Sequence, residues 1–119
     1  MQIPLQTVYH NMDKSDAIEA RIREKVDKLE HFAPDIIRCR VTVEAPHKHH
    51  NKGNPYAVKI DITLPGGEVV VSSHPGKNPA HADLYVALRD AFDEARRQIE
   101  DFVRKRRGKV KHHQAPPAM

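Results

Sequence analysis

The chain has 119 residues, a hydrophobic fraction of 39%, a charged fraction of 30% and a formal net charge of +4, the balance of a soluble protein with one core in one domain. It holds no run of roughly 18 apolar residues that could span a membrane, and residues 1–6 have neither the basic nor the apolar region of a secretion signal, so the cytosol is the expected compartment. The single cysteine, Cys39, can form no internal disulfide and is three short of a four-thiolate zinc site, which leaves it as a small hydrophobe inside a strand.

Ile3 to Tyr9 alternates apolar and polar residues, the pattern of an opening strand. Asn11, Asp13 and Ser15 then offer capping side chains to a helix over residues 16–30. Its apolar positions, Ile18, Ile22, Val26 and Leu29, fall within about 80° of arc at helical spacing, and Pro34 closes the segment. Ile37, Cys39, Val41 and Val43 alternate with Arg38, Arg40, Thr42 and Glu44, a strand with one buried and one wet face. A polar loop over residues 46–55 leads to a second such strand from Tyr56 to Leu64. Gly66-Gly67, before Glu68-Val69-Val70-Val71, supplies the turn of a hairpin between the third and fourth strands.

A long helix then begins at Asn78-Pro79 or at Asp83. Leu84, Leu88, Ala91, Phe92, Ala95, Ile99, Phe102 and Val103 occupy about 120° of its circumference. The next residue on that face is Arg106, so the apolar stripe ends at Val103. A boundary is expected after residue 107, with a basic, proline-containing flexible tail over 108–119. The order β-α-β-β-β-α, with one apolar face per element, predicts an α+β fold: a four-stranded, mainly antiparallel sheet with both helices on one face. Such an arrangement is similar to double-stranded-RNA-binding modules, which read RNA by shape.

The charge is unevenly spread. Residues 96–113 hold eight Lys or Arg against Glu100 and Asp101, a segment of +6, which leaves −2 for residues 1–95. A basic end on a mildly acidic body is an electrostatic handle for phosphate. Asp93–Arg97, Glu100–Arg104 and Asp101–Lys105 stand at (i, i+4) and could instead serve the helix, as could Glu24 with Lys28 on the first helix. Arg106, Arg107, Lys109 and Lys111 have neither acidic neighbours nor a core role, and Lys25 has no obvious partner. Stacking of single-stranded bases would need exposed aromatic rings. Phe32, Phe92 and Phe102 are expected on the helices' inner sides, which favours structured RNA.

His47, His49 and His50 invite a metal reading, but adjacent histidines in a loop without Cys or an HExxH pattern do not converge as a zinc site requires. A solvated loop is the stronger reading, so no metal and no cofactor are expected. No P-loop, GxGxxG or GxSxG motif is present and no enzyme is expected.

Leu29-Glu30-His31-Phe32, Leu64-Pro65-Gly66-Gly67-Glu68 and Asp83-Leu84-Tyr85-Val86-Ala87-Leu88-Arg89-Asp90 occur in an order and spacing that resemble the ribosome hibernation-promoting factor and ribosome-associated inhibitor family. The resemblance runs from about residue 2 to residue 111. It implies a domain that binds the small ribosomal subunit in the channel used by mRNA and tRNA, and so blocks translation in stress or stationary phase. It also implies rRNA-binding roles for Arg21, Lys25, Lys28, Arg89, Arg96, Arg97, Arg104, Lys105, Arg106 and Arg107, which the basic run extends to Lys109 and Lys111. The loop 46–55 is longer and richer in histidine than in short family members. A ribosome-dimerising second domain, as in long family members, is not expected, so single-ribosome inhibition, or partnership with long family members, is the expected activity. Two further readings stay open: a protein-interaction module modulating a sigma factor through the wet sheet face, and a histidine-loop metal carrier.

Overall fold

The computed structural model describes residues 3–45, 56–72 and 83–114, with side chains as far as Arg106. The elements follow the expected order: β1 (Leu5–His10), α1 (Asp16–Phe32), β2 (Arg38–Glu44), β3 (Ala57–Leu64), β4 (Gly67–Ser72) and α2 (Leu84–Gln114). Of the three candidate caps, Ser15 starts α1, its hydroxyl accepting from the Ile18 amide at 3.3 Å. Asn11 turns the chain instead. It sits at φ 62°, a conformation that asparagine tolerates, and its amide donates to the Ala45 carbonyl at 3.1 Å.

The sheet has the order β1-β2-β3-β4. β1 runs parallel to β2, while β2–β3 and β3–β4 are antiparallel, the last a hairpin through Gly66-Gly67. The parallel pair exists because α1 carries the chain back across the sheet between its two strands. Cys39, Val41, Val43, Val58, Ile60, Ile62, Leu64, Val69 and Val71 are buried, while their strand neighbours Arg38, Arg40 and Lys59 are exposed. Among the described residues one face of the sheet is buried and the other exposed, so both helices lie on the buried face. Ile22, Val26 and Leu29 of α1 meet that face with Leu88, Ala95 and Ile99 of α2. Burying one such aliphatic side chain contributes about 1.5–3 kcal/mol. These residues hold the helix pair in place.

Asp83 is the cap of α2 that the structure describes: its carboxylate accepts from the Tyr85 amide at 2.9 Å, and its carbonyl takes the Ala87 amide at 3.0 Å. The alternative start at Asn78-Pro79, like the loop 46–55, lies outside the described residues. At its other end α2 runs through the boundary expected after residue 107 and continues as far as Gln114. Residues 115–119 lie outside the described residues.

Smaller contacts orient α1. Thr7 and Tyr9 both donate to the Glu19 carboxylate, at 3.1 and 3.2 Å, tying the first turns of α1 to β1. Burial and the Glu19 carboxylate raise the Tyr9 phenol above its ordinary value. Arg23 donates to the Ile3 carbonyl at 3.2 Å. Cys39 is buried, as expected of a small hydrophobe in a strand. Among the described residues no helix is long and apolar enough to cross a membrane.

Candidate nucleic-acid interface

On α1, positions 21, 25, 28 and 32 follow one another at spacings of four, three and four, so Arg21, Lys25, Lys28 and Phe32 share a flank beside the buried stripe. On α2, Tyr85, Arg89 and Arg96 form a corresponding flank. The structure turns these two flanks toward each other. The Arg21 guanidinium lies over the Tyr85 ring, 4.8 Å from its centroid, and Arg96 lies over the Phe32 ring at the same 4.8 Å. Residues 21 and 85, like 32 and 96, are 64 positions apart, so the helices run parallel in constant register between the two contacts. Eleven residues separate the contacts along each helix, about 16 Å at the ordinary helical rise.

Each contact places an arginine of one helix on an aromatic ring of the other. Lys25 and Arg89, also 64 positions apart, fall between them. Sequence reasoning missed both rings. Phe32 was expected on the inner side, yet it is 36% exposed, and Tyr85 is 40% exposed. The signal was present in the spacing: Phe32 continues the row of Arg21, Lys25 and Lys28 rather than the stripe of Ile22, Val26 and Leu29. Phe92 is buried and Phe102 half-buried, as expected.

The other candidate cations are placed differently. Arg97 and Arg104 stand on the outer surface of α2, with side chains 69% and 73% exposed, and pair with Glu94 and Asp101, each at 3.3 Å. These are (i, i+3) pairs, and they replace the (i, i+4) pairs with Asp93 and Glu100 that the spacing suggested. In the same way Glu24 pairs with Arg21 at 3.5 Å rather than with Lys28. Arg89 bonds its neighbour Asp90 at 3.1 Å. Exposed pairs of this kind contribute about 0–1 kcal/mol, so a phosphate can displace the carboxylate at little cost. Lys25, Lys28 and Lys105 make no ion pair among the described residues.

Arg106 corrects a sequence expectation. It is not free: its guanidinium donates to the Pro65 carbonyl and lies against Gly66. The cause is its position on the apolar face of α2, one turn beyond Phe102 and Val103, where the β3–β4 turn rather than the core faces the helix. Arg107, Lys109 and Lys111 lie on the helical backbone beyond it. The structure therefore gathers Arg21, Lys25, Lys28, Arg89 and Arg96 around one groove. Arg97 and Arg104 stand outside it, Lys105 on the far side of α2, and Arg106 on the hairpin.

The wet face of the sheet has a different character. Arg40 donates to Gln6 at 3.2 Å and Arg38 to Thr63 at 3.3 Å, around a depression of about 500 Å³ that Asp61 and Glu68 also line. Arg38, Arg40 and Lys59 there face Glu44, Asp61 and Glu68, a balance of opposite charges. Among the described residues no group of three or more His, Cys, Asp or Glu stands close enough to hold a metal ion.

The chain resembles proteins already characterised. It is 26% identical over 92 residues to a ribosome hibernation promotion factor of Deinococcus radiodurans, a match covering 77% of this chain and 44% of that protein. The chain thus spans less than half the length of that curated relative. The N-terminal domain of Thermus thermophilus Protein Y superposes with a TM-score of 0.65 at 26% identity, covering 86% of this chain and 99% of that one. A ribosomal subunit interface protein from Coxiella burnetii, at 15% identity, shares the fold with a TM-score of 0.67 over 84% of this chain and 97% of its own. The sequence model of one family matches residues 5–107, the strands, the helices and the groove between them, and by that match the chain belongs to the Sigma 54 modulation protein / S30EA ribosomal protein family.

Proposed function

We propose that this protein is a cytoplasmic, ribosome-associated hibernation factor that binds rRNA of the small subunit in the mRNA and tRNA channel and inhibits translation. The observation that carries the reading is the groove between α1 and α2, where Arg21 and Arg96 make their ring contacts and helical spacing sets Lys25, Lys28 and Arg89 on the same two flanks of a family member. The names of its relatives, a hibernation promotion factor and a ribosomal subunit interface protein, support the ribosome as the partner. Cations on parallel ridges suit the phosphates of structured RNA, whose position they set without reading sequence. Arg97, Arg104 and Lys105, with Arg107, Lys109 and Lys111 beyond them, extend the same attraction along α2. Arg106 contributes its charge from the hairpin. The charge-balanced sheet face gives less support to a sigma-factor partner.

The test is sedimentation of the protein with purified small subunits at increasing potassium chloride. Co-sedimentation should fall steeply with salt, because bound cations displace counterions from phosphate. The change Lys25→Glu with Lys28→Glu should weaken it and flatten the slope, with little effect on stability because neither lysine is paired among the described residues. Absence from the small-subunit fractions at low salt, or unchanged binding by the double variant, would overturn the placement at the groove.

A further inference from the structure

The groove ends in a pocket. Beyond the Phe32–Arg96 contact, Phe32, Leu64, Ile99 and Val103 wall a cavity of about 480 Å³ between the end of α1, the end of β3 and α2. Arg96 lies over the Phe32 ring, yet Phe32 as a residue remains 36% exposed and forms part of the wall. Asp35, Glu100 and Arg104 stand at the rim. An apolar, partly aromatic floor with a few charged groups at its mouth is how proteins hold a small planar ligand. The neighbouring chemistry narrows the class. Two guanidinium groups, on Arg96 and Arg104, attract phosphate, an aromatic wall attracts a flat π-system, and two carboxylates accept hydrogen bonds from N–H donors.

We propose that this pocket receives one unpaired nucleotide of the RNA that the groove binds. The base stacks on Phe32, Arg96 and Arg104 hold the flanking phosphates, and Asp35 and Glu100 accept from the base edge. A carboxylate rewards an exocyclic amino group, which adenine, guanine and cytosine carry and uracil lacks. The proposal rests on the groove being an RNA-binding surface. It adds that the protein distinguishes RNA with a base free to leave the stack from a continuous duplex. Unpaired bases cost least to extrude, so a bulge or junction is the natural substrate.

The experiment uses the whole chain and RNA hairpins of one length, fully paired or with a single bulged A, G, C or U, titrated at fixed salt with guanosine monophosphate as a free-nucleotide control. The wild type should prefer the A, G and C bulges over the paired hairpin by about ten-fold, the scale of one base–aromatic stack. The U bulge should gain less. Phe32→Leu should abolish that preference and Phe32→Tyr restore it, with melting curves confirming that both variants fold. Equal affinity for bulged and paired hairpins would overturn the proposal, and salt-dependent binding of both would leave the groove reading standing. A preference for the U bulge, or one that survives Phe32→Leu, would also overturn it. So would guanosine monophosphate binding as tightly as the bulged hairpins, which would assign the pocket to a free nucleotide. Failure of every hairpin to bind would instead count against the groove itself.

Discussion

Gly66 sits at φ 91° in the β3–β4 turn, a left-handed conformation that a side chain strains, with the Arg106 guanidinium packed against it. Gly66→Ala should destabilise the fold by about 1 kcal/mol or more, read as a lower urea midpoint. A variant as stable as the parent would show that the turn adapts. At Gly67 the reason for glycine is space, since an added Cβ would lie 2.9 Å from the Phe102 ring. The turn glycines were legible as a hairpin signal, but their packing against Phe102 and Arg106 was not, because residues some forty positions away supply it. Cys39 makes a second residue-scale prediction. Burial, then the Asp61 carboxylate, push its thiol up from 9.0 to about 12, against a smaller opposing effect of Arg23. Below pH 9 the thiol is protonated in both folded and unfolded chains and adds no pH dependence. Between those values the unfolded chain releases the proton and the folded one keeps it, so stability falls as pH rises from 9.0 toward 12. Urea unfolding of the wild type should therefore weaken more steeply across that window than unfolding of Cys39→Ala, and parallel pH slopes would sink the assignment.

At the scale of elements, α2 does two jobs with two ends. From Leu84 to Val103 its apolar face rests on the sheet, and Arg106 anchors it to the hairpin. Beyond that point the helix continues to Gln114 and carries Arg107, Lys109 and Lys111. Truncation after Arg106 removes these cations and none of the core residues. Stability should change by less than about 0.5 kcal/mol. The slope of log K against log salt for small-subunit binding should flatten by about 2–3, at roughly 0.7–0.9 per lost phosphate contact. An unaltered slope would leave the groove as the whole anchor. A cut after Arg104 would not test the same thing, since it also releases the Pro65 carbonyl from Arg106. The helix and its apolar stripe were readable because periodicity is local. The partners of its arginines were not, because (i, i+3) and (i, i+4) carboxylates compete within a fraction of a kcal/mol and side-chain rotamers decide between them.

At the scale of the molecule, a one-sided core leaves two large surfaces, a helical one that collects cation–aromatic contacts and a sheet one whose charges cancel. Among the described residues no group of three or more His, Cys, Asp or Glu could hold a metal ion, so stoichiometric zinc added to dialysed protein should leave the melting temperature nearly unchanged. A shift of many degrees would reveal a tight site and revive the histidine loop as a carrier. The order of elements, the one apolar face of β2 and of β3, the β3–β4 hairpin and the basic charge of the C-terminal run were determined by the sequence alone, since each depends on spacing within one short segment; that α2 continues through that run to Gln114 was not. The family was legible too, in three short motifs kept in register. Tertiary structure alone decided that β1 runs parallel to β2, that Arg21 meets Tyr85 while Arg96 meets Phe32, and that Arg106 belongs to the hairpin. The physical reason is common to all three: they join segments distant in the chain, and only burial of every apolar stripe against the same sheet face brings those segments together.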